Sequence, residues 1–185
     1  MKYTLVSSSS VFLPLSKVKE WINVTHDLHD ELLQALINSA TIVAEDYTGI
    51  ALRNQTWQLD ASPSEMAIGI TLAKNPVSNL VSIKSSIYNE LQELDDKQYV
   101  FELGDSRSFI VVIDNQLLRN APIIYNAFEV VFEAGLGKPS EAMETTLLMI
   151  IAFFYENRGD VSAMSSRGLP PEILHLLQSQ RVGFV

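Results

Sequence analysis

A chain of 185 residues with 22 acidic and 13 basic side chains carries a formal charge of −9, and 47% of it is hydrophobic against 19% charged. That balance belongs to a globular protein with one substantial core or two small lobes, and it excludes an intrinsically disordered chain. The acidic excess, with no cluster of Lys and Arg, argues against a general phosphate-binding surface; the lack of cysteine excludes disulfides and thiolate metal sites and fits a reducing cytosol.

The opening Met1–Val6, followed by Ser7 to Ser10, resembles a secretory signal only in outline. Serines cut its apolar run and no small-residue cleavage site follows, so a short strand and a flexible linker are expected instead. Pro14-Leu15-Ser16 opens a short helix, with Ser16 as its cap and Val18, Trp21 and Ile22 on one face. After a polar break from Asn23 to His26, Asp27 caps a second helix that runs to about Thr48. Its Leu28, Leu32, Leu33, Leu36, Ile37, Ala40, Val43, Ala44 and Tyr47 recur with the helical period, and Gly49 ends it.

From Ala51 to Gly135 the period falls to two. Thr56–Leu59 reads as a strand, then Ile68, Ile70 and Leu72 alternate before a turn at Asn75-Pro76. Val81, Ile83 and Ile87 alternate again, and Asn89 to Asp96 reads as a loop. Tyr99, Phe101 and Leu103 form a strand that turns at Gly104-Asp105-Ser106 and returns through Phe109–Ile113. Phe128, Val130 and Phe132 make the last. About six strands without a helix between them imply an antiparallel sheet or a small sandwich.

Pro139 to Gly159 reads as one long helix. Pro139 and Ser140 suit its start, Glu141 and Glu144 face the positive end of its dipole, and Arg158 and Gly159 suit its end. Leu147 to Tyr155 is apolar without a break, so other parts of the chain, another subunit, or both must cover it. Burying each large side chain contributes roughly 1.5–3 kcal/mol, and the run falls short of the roughly 20 residues that span a membrane. Asp160 to Gly168 is small and polar, as a mobile loop would be. A short helix after Pro170-Pro171 presents Ile173, Leu174, Leu176 and Leu177, and Arg181-Val182-Gly183-Phe184-Val185 follow. The expected fold is α+β: a discontinuous helical bundle from residues 1–50 and 137–185, with an antiparallel β domain inserted at 51–136.

Residues with the makings of chemistry are few. His26-Asp27-Leu28-His29-Asp30 gathers metal-ligand types, but the two aspartates are better used at a helix N-terminus, so no metal is expected there. Gly135-Leu136-Gly137-Lys138 lacks the spacing of a phosphate loop and fits a strand-to-helix turn. Glu45-Asp46 and Asp95-Asp96 read as solvated surface rather than acid/base machinery, and Phe153, Phe154 and Tyr155 as packing. No catalytic residue and no cofactor are expected.

Four blocks, in order, resemble the head–tail connector (adaptor) proteins of long-tailed bacteriophages. They are Leu15-Ser16-Lys17-Val18-Lys19-Glu20-Trp21-Ile22; Ala44-Glu45-Asp46-Tyr47-Thr48-Gly49 with Gln55-Thr56-Trp57; Val130-Val131-Phe132-Glu133-Ala134-Gly135 with Pro139 opening a helix; and Phe154-Tyr155-Glu156-Asn157-Arg158. The resemblance implies a non-enzymatic virion protein at the head–tail junction, assembled in the host cytoplasm. It implies a ring of like subunits, commonly twelve, between the portal protein and a tail-side completion protein, with neither sequence-specific nucleic-acid binding nor a membrane. The serine linker, the acidic stretch Glu90 to Asp96 and the serines from Ser162 to Ser166 depart from plainer members.

An acidic chain suits such a conduit, because a negative wall repels DNA phosphates and lets the genome slide. Arg181, Val182, Phe184 and Val185 are the expected partner-binding residues, a basic and apolar tail that docks onto the portal. The alternative is a soluble cytosolic ligand-binding module without catalytic activity.

Overall fold

The computed structural model describes residues 1–9, 13–87, 90–104, 107–122, 124, 127–137, 139–158 and 168–181. The chain runs through β1 (Lys2–Ser8), α1 (Leu15–Trp21), α2 (Asp30–Thr48), β2 (Gln55–Ala61), α3 (Pro63–Ile68), β3 (Ile70–Thr71) and β4 (Val77–Ile87). It continues through β5 (Glu90–Glu93), β6 (Tyr99–Glu102), β7 (Phe109–Val112), α4 (Asn115–Asn120), β8 (Phe128–Ala134), α5 (Glu141–Glu156) and α6 (Pro171–Ser179). Two compact units result: Met1–Ser9 with Asn54–Gly135, and Ser10–Arg53 with Leu136–Val185.

The β unit holds a five-stranded sheet, ordered β1-β2-β8-β4-β5, and a three-stranded sheet, ordered β3-β7-β6. Every pairing is antiparallel. β8 sits at the centre because its alternation aims Phe128, Val130, Phe132 and Ala134 into the core. Leu59, Met66, Ile83 and Ile110 of the same unit are also buried.

Local chemistry departs from the expected strand pattern in four places. Residues 63–68 form a helix because Ser62 and Glu65 make a capping box, each taking the other's backbone N–H, with Pro63 at the first helical position. That helix uses Ile68, so only Ile70–Thr71 remain as strand. Residues 115–120 are helical because the Asp114 carboxylate accepts the Gln116 and Leu117 N–H groups. Residues 90–93, expected within a loop, pair with β4 instead. Ser7 and Ser8, expected as linker, pair with Thr56 and Gln55, so residues 1–9 fold with the sheet and not with the helical segment 10–50.

The helical unit joins α1 and α2 to α5 and α6 around one core. Val18, Leu33, Ile37, Ala40, Leu147, Ile150, Ile151, Phe154, Ile173 and Leu177 are among its buried members. α2 packs against α5, and the small Ala40 and Ala44 of α2 lie in the shared core. The apolar run of α5 is covered within the single chain: no residue from Leu147 to Tyr155 is exposed. Ser140 caps α5 by accepting the Met143 N–H, and Asn157 ends it; Gly159, expected as the stop, lies outside the described residues, as do 160–167 of the expected mobile loop. α1 starts after Pro14 without a side-chain cap, so Ser16 does not serve as one.

Candidate interaction surfaces

The block Glu45-Asp46-Tyr47-Thr48-Gly49 is an exit device for α2. Gly49 takes φ +74, the left-handed conformation that glycine adopts without a Cβ penalty, and its N–H reaches the Glu45 carbonyl at 3.0 Å. Thr48 Oγ1 donates to the Ala44 carbonyl and accepts from the Ile50 N–H. Glu45 is buried rather than solvated, correcting the surface reading. Its carboxylate accepts the Leu52 and Arg53 N–H groups at 3.0 and 3.3 Å and the Arg53 guanidinium at 3.1 Å. It pins the chain as it leaves the helical unit.

The block Tyr155-Glu156-Asn157-Arg158 closes α5. The Asn157 side chain donates to the Phe153 carbonyl, and Arg158 donates to the Tyr155 carbonyl with its guanidinium 4.9 Å from the Tyr155 ring. The Tyr155 hydroxyl lies 2.7 Å from His29 Nδ1, and His26 packs edge-on against His29. Asp27 does not cap α2, which starts at Asp30. Its carboxylate takes the Lys19 ammonium at 2.6 Å, and Asp30 takes the same ammonium at 2.8 Å. The Lys19 hydrogen bond holds Asp27 below the usual carboxylate range, and the same two carboxylates raise Lys19. The candidate ligand cluster is thus consumed by an ion-pair clamp and a tyrosine contact, and the described residues hold no group that could seat a metal ion.

This clamp ties down the connection between α1 and α2, in which Leu28 is 89% exposed. On α1 itself, Trp21 is 49% exposed and borders a hollow of about 450 Å³ with Lys17, Glu20, Glu144 and Leu148. Lys17 bridges to Glu144 at 2.6 Å across it. Ile42 and Leu176 add further exposed apolar area to the unit. Arg181 is exposed just beyond α6, while Val182, Phe184 and Val185 lie outside the described residues.

Gly135 and Gly137 take positive φ just past the end of β8, as a strand-to-helix turn requires; Lys138 lies outside the described residues. The Trp57 indole donates to Gln55 and receives the Lys74 ammonium over its ring. Two further hollows, of about 450 and 520 Å³, open beside β4 and β6. No described helix is long and apolar enough to cross a membrane.

Comparison with known proteins gives a consistent picture. The family model for phage gp6-like head-tail connector protein matches residues 13–113. No curated protein matches the chain in sequence. Among solved structures, a chain from the "Neck of empty GTA particle computed with C6 symmetry" is 17% identical with a TM-score of 0.73. One from the "Virion of native gene transfer agent (GTA) particle" is 17% identical with a TM-score of 0.75. One from the "Neck of native GTA particle computed with C12 symmetry" is 18% identical with a TM-score of 0.74. Each likeness covers 100% of this chain and 97% of the other, and at such identity it is a likeness of fold.

Proposed function

The chain belongs to the phage gp6-like head-tail connector family, and from that premise we propose that it is the structural connector that joins a portal-capped head to its tail and leaves a path for DNA. The observation that carries this is the family match, which spans both units from residue 13 to residue 113. Full-length likeness of fold to chains of neck particles supports it. The alternative, a soluble ligand-binding module, draws no support from either.

In this proposal the copies meet head to tail around an axis. Heterologous contacts between identical subunits close into a ring when the rotation permits, and the twelve-fold symmetry named for one neck particle motivates a ring of twelve. Trp21, Leu28, Ile42, Leu136 and Leu176 are exposed large apolar residues among the described part of the helical unit, available for such contacts. The two units act as the connector's two domains, and Arg181, Val182, Phe184 and Val185 form the segment that docks onto the portal. Assembly takes place in the host cytoplasm, and the protein performs no catalysis.

The test is reconstitution. The protein is mixed with its portal and imaged in negative stain. Added ring density on one end of the portal is the expected result. Portal particles that stay unchanged at saturating protein would contradict the proposal.

A further inference from the structure

Two strand edges in the β unit run unpaired along the same hollow. Among the described residues β6 pairs with β7 alone and is the outer strand of the three-stranded sheet. β4 pairs with β8 over residues 77–85, but on its other side β5 covers only residues 84–87, leaving the edge at residues 79–82 open. Asn79 and Leu80 from one edge, and Tyr99, Val100, Phe101 and Leu103 from the other, line a single hollow of about 520 Å³. The neighbouring hollow of about 450 Å³ shares Leu80, Asp96 and Tyr99 with it, so the two form one slot.

An open strand edge presents unsatisfied N–H and C=O groups, which native sheets normally blunt with proline, charge or a covering loop. Neither residues 77–87 nor 99–103 contain proline. Val81, Val100 and Leu103 remain 48%, 38% and 58% exposed along the slot. Its lining is acidic at one end, with Glu93, Asp95 and Asp96 all exposed. The Tyr99 hydroxyl donates to Asp96 at 2.9 Å, which fixes the side chain shared by both halves.

We propose that this slot receives an extended segment of a partner protein, added as a strand and carrying lysine or arginine beside aliphatic residues. Main-chain pairing supplies the affinity in such recognition, and side-chain pockets supply the choice. The acidic end selects a basic partner, because like charges brought together oppose binding. A second copy of this chain, with 22 acidic against 13 basic residues, is a poor match. The proposal goes beyond the connector reading and stands on the geometry of the β unit alone.

The test uses the full chain and three labelled octapeptides followed by fluorescence anisotropy. One alternates valine and lysine; one alternates valine and glutamate. The third is the valine–lysine peptide N-methylated at alternate amides, which keeps its charge and loses its pairing donors. The first is expected to bind at least about tenfold more tightly than either control, and to slow amide exchange at residues 79–82 or 99–102. Asp95→Lys combined with Asp96→Lys is expected to weaken it by about tenfold or more. Should that variant melt early, Leu103→Lys at an exposed position takes its place. Equal binding of the N-methylated peptide would mean bare attraction to an acidic surface and would overturn the proposal. So would no binding, protection elsewhere, or self-association of the protein through these edges.

Discussion

The Arg53 guanidinium meets the Glu45 carboxylate at 3.1 Å with both side chains largely withdrawn from solvent. The same carboxylate also takes the Leu52 and Arg53 N–H groups, so it holds the chain where α2 hands over toward β2. Removing it strands a largely covered guanidinium and two backbone donors. Glu45→Ala should therefore destabilise the protein by roughly 3–5 kcal/mol, measured by urea unfolding. Glu45→Gln keeps an acceptor for the N–H groups and should cost about half as much.

Gly49 tests the same junction through the backbone. A Cβ there meets no heavy atom within 4 Å, so the only penalty for alanine is the positive φ. Gly49→Ala should cost about 1–2 kcal/mol, and Gly49→Asn less, because asparagine tolerates that conformation. Equal stability of the three in thermal unfolding would show that the junction relaxes freely.

Glu65 sets a pH dependence. Hydrogen bonding from the Met1 ammonium, then from the Ser62 N–H, lowers its pKa from 4.5 to about 2. A folded value below the unfolded one means stability that is complete above pH 4.5 and lost as the pH falls through that range toward 2. Glu65→Gln should flatten the unfolding midpoint between those limits. Ser62→Ala, which removes the reciprocal cap, should cost about 1 kcal/mol at neutral pH.

The C-terminal segment gives the partner test. Deleting Val182 to Val185 should leave the melting temperature unchanged while weakening portal binding by about tenfold or more, as expected from the loss of large apolar side chains at an interface. Surface plasmon resonance against immobilised portal measures this. Undiminished affinity would reject the assignment of Phe184 and Val185 to the portal contact.

Much of this architecture is legible before any coordinates. The helical period of Leu33, Leu36, Ile37, Ala40 and Ala44 and the capped apolar run behind Ser140 define the two long helices that share the core. The short helices are harder, since six residues hardly complete a period. Their signal lies in Ser62, Glu65 and Asp114, whose side chains satisfy the first N–H groups. The short N-terminal strand is legible, but not its continuation through Ser7 and Ser8 or its place in the sheet, because β1 is an edge exposed along nearly its whole length and stabilised by pairing with β2 rather than by burial. Glu45 reads as surface in one dimension because its partner lies eight residues away beyond a glycine turn. The slot between β4 and β6 belongs to topology, since adjacent strands in sequence leave those edges open only once the sheet order is known.

The most direct measurement is the morphology of particles made without this protein. Electron microscopy of lysates from a phage lacking its gene should show heads that have packaged DNA but carry no tails, with tails restored by supplying the protein in trans. Fully tailed, infectious particles in its absence would contradict its role as the connector.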